Sequence, residues 1–239
     1  MKARNRRHFL KKSVATGVAI AVPTIVSSSA LGLAGAVAPS ERIVLGGLGI
    51  GPRGTTDLKC FLKNPDVQFV AVADLQKTRR EAVKTLVDGT YGNKDCVLYS
   101  DMFEILARED IDSLLIATGD RWHTMASILA AKAGKDVYCE KPATLTIDEG
   151  RTLGRVIKET GRVLQVGTQQ RSSKKFQTAV ALAHSQRLGK MKRVTVAIGS
   201  GPKGPAFDTS SPPSNLNWNM WQGQTPGVDY IAQRCHGNF

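Results

Sequence analysis

The chain has 239 residues, 41% of them hydrophobic and 22% charged, which suits one full globular domain with part of a second and excludes a disordered or fibrous chain. Its 33 Lys and Arg against 20 Asp and Glu give a formal charge of +13, yet no basic run carries interleaved aromatics, so no nucleic-acid partner is expected. Cys60, Cys96, Cys139 and Cys235 stand far apart with no C-x-x-C pair, which argues against zinc; one disulfide is open, with buried free thiols as the default.

Residues 1–36 read as an export signal rather than as structure. Asn5-Arg6-Arg7-His8-Phe9-Leu10-Lys11-Lys12 precedes a weakly apolar stretch, Ser13 to Ala36, which Pro23 and Ser27, Ser28 and Ser29 interrupt too often for a stable membrane span. The paired arginines with Phe9, Leu10 and Lys11 resemble a twin-arginine (Tat) signal, with Asn5 where Ser or Thr is usual. An ordinary secretory signal with a basic start is the alternative. Cleavage after Ala36 is favoured, because a cut after Ala38 would leave Pro39 next to it. The expected localisation is the periplasm or cell envelope. Removing 1–36 takes away six Lys and Arg and no acid, so the formal charge falls from +13 to +7.

From Arg42 onward, short β-branched runs alternate with helical patterns, which predicts βαβ units and a parallel sheet. The strands expected are Ile43 to Leu48, Val67 to Ala73, Cys96 to Tyr99, Ser113 to Ala117, Asp136 to Cys139 and Val163 to Val166. Helices are expected near Gly54 to Lys63, Lys77 to Val87, Met102 to Ala107, His123 to Ala133 and Ile147 to Glu159. Continuous apolar runs such as Ser113-Leu114-Leu115-Ile116-Ala117 fit a sheet covered on both faces. The fold class is therefore α/β, a doubly wound parallel-sheet Rossmann domain over 37–167, followed by the start of an α+β second domain over 168–239. That second part is read as a basic helix, Ser172 to Ser185, a strand, Arg193 to Ile198, and a proline-rich tail predicted as loop.

The first strand runs into Gly49-Ile50-Gly51-Pro52-Arg53-Gly54, a G-x-G-x-x-G. This pattern supplies a tight turn, close backbone approach to a pyrophosphate and close packing of helix on strand. The following helix offers unpaired N–H groups to phosphate, and Pro52 costs nothing in a first turn. The second strand ends in Asp74, twenty residues after Gly54, where a carboxylate can bond adenosine ribose hydroxyls. Asp74 would repel a 2′-phosphate, which favours NAD; Lys77, Arg79 and Arg80 lie close enough to keep NADP open.

From about Arg42 to its last residue the chain resembles the Gfo/Idh/MocA oxidoreductases. The most specific segment is "AGKDVYCEKPATLTIDEG", with Glu140, Lys141 and Pro142 as the family's Glu-Lys-Pro; "DIDSLLIATGDRWH" and "GRVLQVGTQQRSS" also match. The resemblance places Glu140 and Lys141 beside the nicotinamide, with Lys141 directed at the substrate hydroxyl as the catalytic group and Pro142 as a cis-peptide candidate. An ammonium there can stabilise a developing alkoxide and relay its proton. The residues alone leave open an exposed Glu140–Lys141 ion pair in a turn.

The resemblance also aligns His123 with a position whose ring could contact the cofactor, and Thr118 with the same loop, although Gly119 stands where the family usually has proline; a cap or a packed side chain is the alternative for His123. Trp122 could simply be core. Gln170 to Lys175 could line a sugar crevice. The resemblance implies an NAD(P)-dependent oxidoreductase moving hydride between nicotinamide and a carbinol of a sugar, cyclitol or glycoside.

The family's D-x-x-x-H acid/base segment is not found before Phe239, so the alternative is a truncated, non-catalytic nucleotide-binding remnant. A third reading, glycan binding, rests on Trp218 and Trp221 alone. The partner expectations are a small carbohydrate-like substrate, no nucleic acid, no stable membrane span and a homo-oligomer.

Overall fold

The computed structural model describes residues 37–199 and 207–235, so the expected export signal, 1–36, lies outside the described residues. The chain separates into two compact units, residues 1–40 and 41–239; the architecture below is that of the second.

Six parallel strands, β1 (Ile43–Leu48), β2 (Val67–Ala73), β3 (Val97–Tyr99), β4 (Ser113–Ile116), β5 (Asp136–Cys139) and β6 (Leu164–Val166), form one sheet in the order β3-β2-β1-β4-β5-β6. Helices α1 (Pro52–Phe61), α2 (Lys77–Tyr91), α3 (Met102–Leu106), α4 (Asp120–Lys132) and α5 (Ile147–Thr160) connect them. The period-2 geometry of a strand divides the apolar residues between two faces. Leu114 and Ile116 join Ile105, Ala126 and Ala130 in one core. Leu115, between them, joins Leu58, Phe69, Val83 and Val87 in the other. Both faces are thus buried, as the unbroken apolar strands require.

Helix ends follow local chemistry. Thr146 and Glu149 form a reciprocal capping box at the start of α5, and Gly161, in the left-handed region, ends it. Helix α2 runs on to Tyr91, past the expected Val87, until Gly92 adopts the left-handed conformation. Helix α4 begins at Asp120, three residues before the expected start, with Asp120 in its first turn.

After β6 come a 3-10 turn, Gln169–Ser172, and α6 (Lys174–His184). The strand expected over Arg193 to Ile198 is a correction: residues 191–199 carry no regular secondary structure, and Val194, Val196 and Ile198 are 74%, 78% and 89% exposed. A strand needs a ladder partner, and none of the described residues provides one. The tail is also more ordered than a loop. It holds α7 (Trp218–Gln222), capped by the Asn217 side chain, and two isolated antiparallel bridges, Gln76 with Leu216 and Ser210 with Tyr230. Among the described residues no helix is long and apolar enough to cross a membrane.

Candidate functional site

The strand order reverses between β1 and β4, so the loops leaving these strands diverge and open a crevice at the carboxyl edge. Gly49 turns there with φ +65°, donating its N–H to Ala73 O at 2.8 Å. A Cβ on Gly49 would lie 2.6 Å from the Thr118 Cα, so both the conformation and the space demand glycine. Gly51 caps α1, Pro52 is its first residue, and a Cβ on Gly54 would lie 2.7 Å from the Ala117 Cβ. The first-turn N–H groups of α1 therefore face a backbone-lined cradle that admits an anion.

Asp74 follows β2 and is 8% exposed. Its Oδ1 accepts the Gln76 N–H at 2.9 Å, while Oδ2 is buried with no partner among the described residues. Burial pushes its carboxyl pKa up, against the Gln76 hydrogen bond and the charges of Arg79 and Arg80. A buried carboxylate oxygen without a donor is costly and calls for one from a ligand. A dinucleotide fits on two observations: Asp74 Oδ2, without a partner among the described residues, suits a ribose hydroxyl, and the first turn of α1, which no side chain caps, suits a pyrophosphate.

The Glu-Lys-Pro segment leaves the same edge after β5. The exposed Glu140–Lys141 ion pair, open on the residues alone, is not formed. Glu140 is 3% exposed and its Oε1 accepts from the Gln169 side chain, with the Arg53 guanidinium Nε at 3.4 Å. Its Oε2 receives the Lys141 N–H at 3.3 Å. Glu140 thus ties the start of α1 and the turn after β6 to the backbone that carries Lys141. Arg53 also pairs with Asp57, a buried acid that motif reading passes over. Burial, then the Glu140 charge, raises the Asp57 pKa against the pull of Arg53. Lys141 itself is exposed, and its side chain makes no hydrogen bond or ion pair among the described residues. The Lys141–Pro142 bond is cis.

His123 is 2% exposed, with Nδ1 2.6 Å from Pro142 O and Nε2 3.1 Å from Thr118 O. The ring braces the β4 loop against the Lys141–Pro142 turn, so it sits within the site as a positioning group. Both partners are carbonyl oxygens, which only accept, so a ring N–H donates to whichever carbonyl it faces.

The residues around Asp74 include several that motif reading missed. A cavity beside Gly49 and Asp74 is also lined by Thr118, Arg121, Met220 and Trp221. Trp122 Nε1 donates to Met220 O at 3.0 Å, and Arg121 Nε to Trp221 O at 2.5 Å. Residues Gln170 to Lys175 are not among its lining.

The sequence profile described as "Oxidoreductase family, NAD-binding Rossmann fold", that of GFO_IDH_MocA, matches residues 42–168. A glycosyl hydrolase family 109 protein of Saccharopolyspora erythraea is 32% identical over 163 residues, 61% of this chain and 35% of that protein. The inositol 2-dehydrogenase of Rhizobium meliloti is 32% identical over 161 residues, 67% of this chain and 46% of that one. The chain thus spans less than half the length of these relatives. The crystal structure of scyllo-inositol dehydrogenase from Lactobacillus casei with bound NAD(H) and scyllo-inositol superposes with a TM-score of 0.55 at 23% identity, covering 62% of this chain and 42% of that one, and so shares the fold. With its profile match over more than half its length, its parallel Rossmann sheet and its Glu-Lys-Pro after β5, the chain belongs to the Gfo/Idh/MocA family of NAD-binding oxidoreductases.

Proposed function

We propose that this chain serves as an NAD(P)-dependent oxidoreductase moving hydride between nicotinamide and a carbinol carbon of a sugar, cyclitol or glycoside. The observation that carries the reading is the placement of Lys141: an exposed ammonium, unpaired among the described residues, just after β5 on the edge that also holds the glycine turn and Asp74. The names of the relatives, an inositol dehydrogenase and a family 109 glycosyl hydrolase, point to cyclitol and glycoside hydroxyls.

Gly49, Gly51 and the first turn of α1 would hold the pyrophosphate, and Asp74 Oδ2 the adenosine ribose hydroxyls. The nicotinamide supplies the hydride acceptor or donor. Lys141 stabilises the alkoxide that develops on the substrate oxygen and holds or passes its proton. Glu140 fixes the Lys141 backbone through its N–H. NAD is favoured over NADP. Asp74 opposes a 2′-phosphate, while Arg79 and Arg80 donate to the carbonyls of Cys235 and Asp74 rather than lying free. Residues 168–239 would begin a substrate domain, and Arg6-Arg7 supports export by the Tat pathway, which fractionation of the producing cells tests.

The test is turnover of the full chain with NAD and a panel of cyclitols and sugars, followed by nicotinamide absorbance. Lys141→Ala should lower turnover roughly 10²- to 10⁴-fold while keeping NADH affinity. Turnover untouched by that substitution would remove Lys141 from the chemistry. NADH binding without turnover on any substrate would leave only the nucleotide-binding role.

A further inference from the structure

The tail docks on the adenosine side of the crevice through main-chain and aromatic contacts. Lys77 N–H donates to Asn215 O at 3.2 Å, and Arg79 donates to Cys235 O at 3.2 Å. Trp218 stacks on Trp221 with centroids 4.7 Å apart and planes 20° from parallel, and meets Tyr230 edge-on at 5.0 Å. The Arg121 guanidinium lies 3.6 Å from the Trp221 ring centroid. Two groups at these distances cannot share one face of an indole, so Trp221 is sandwiched between Trp218 and Arg121. The guanidinium, which also packs against Gly119, lies beside the cavity that Arg121, Met220 and Trp221 share with Asp74. Nucleobases stack on guanidinium planes and on aromatic faces.

We propose that residues 215–235 form the adenine-facing wall of the dinucleotide site, with the base stacked on the Arg121 plane that Trp221 backs and covered by Met220. The same tail orients Arg79, whose NH1 comes within 3.4 Å of a Cβ placed on Gly51, toward the pyrophosphate cradle. The inference rests on the dinucleotide reading above and adds to it residues that lie more than 160 positions beyond the glycine motif. The cavity of about 80 Å³ is smaller than the roughly 300 Å³ at which ligand sites begin, so the wall yields as the base enters.

The experiment compares NADH with reduced nicotinamide mononucleotide, which lacks the adenosine half, on the full chain and on Trp221→Ala, Met220→Ala and Arg121→Lys, with the thermal midpoint of each recorded without ligand. Trp221→Ala should weaken NADH about tenfold, the worth of one stacked base, and leave the mononucleotide unchanged. Arg121→Lys keeps the charge and loses the plane, and should follow Trp221→Ala. Unchanged or tighter NADH binding in variants that keep their midpoints overturns the proposal, the tighter case marking the tail as a plug. Equal loss for both ligands also overturns it, since the effect is then not on adenosine. A wild-type chain that is folded and binds neither ligand instead defeats the dinucleotide reading itself.

Discussion

Replacing Asp74 by Asn separates affinity from stability, because the two should move in opposite directions. Asn keeps an acceptor for the Gln76 N–H, which Asp74 Oδ1 now receives at 2.9 Å, and it keeps the shape of a side chain that is 8% exposed. It loses the charge on Oδ2, the oxygen with no partner among the described residues. A hydrogen bond to a charged acceptor is worth about 1.5–3 kcal/mol, so NADH affinity should fall roughly 10- to 150-fold. NADPH affinity should fall less, because repulsion of its 2′-phosphate is relieved.

Stability without ligand should rise. Burial holds the folded-state pKa of Asp74 above its unfolded value, so the stability it contributes is present below the unfolded pKa and is lost as pH rises through the folded pKa. Above its folded pKa Asp74 carries the buried charge at a cost that Asn removes, and the variant's urea midpoint should exceed wild type there and converge with it in acid. Isothermal titration and urea unfolding across pH read the two effects. Unchanged NADH affinity would refute the ribose role, and lowered neutral stability would refute the unpaired-charge argument.

Gly54→Ala places a Cβ against Ala117 and should cost about 1–3 kcal/mol by overpacking, read from the urea midpoint; a neutral outcome would mean α1 can move off the sheet. His123→Ala removes the ring that bridges the Pro142 and Thr118 carbonyls and should cost about 1–3 kcal/mol, with Lys141-dependent turnover falling as well; full turnover would show that the turn holds its shape without the ring. Burial raises the Cys96 and Cys139 thiols to about 11, whereas Cys60 is exposed, so iodoacetamide at neutral pH should label Cys60 in the folded chain and reach the other two only on unfolding. Mass spectrometry of the labelled peptides decides it.

The parts of this fold legible from sequence are those in which local pattern and tertiary demand agree. Strands β1, β2 and β5 keep their expected bounds, because they are built on mostly apolar runs and both faces of the sheet are buried. Gly49 and Gly54 could be found by spacing, since a turn and a close approach fix residue type and interval together. Residues 193–198 have a strand's alternation but no ladder partner among the described residues, and a pattern of period two cannot report whether one exists. Helix α7 is five residues long, too short for a 3.6-residue period to register, although Asn217 before it and Gly223 after it are ordinary cap signals. The pairing of Arg121 with Trp221 joins residues a hundred positions apart, and Glu140 looks from sequence like a solvated turn acid. Only the folded chain buries it between Arg53 and Gln169.

The most direct test of the dinucleotide site is titration of the purified chain with NADH and NADPH, following nicotinamide fluorescence and the thermal midpoint together. The arrangement of Gly49, Gly51 and Asp74 predicts saturable NADH binding that raises the midpoint, with NADPH weaker. A folded chain whose midpoint and fluorescence respond to neither nucleotide would contradict it.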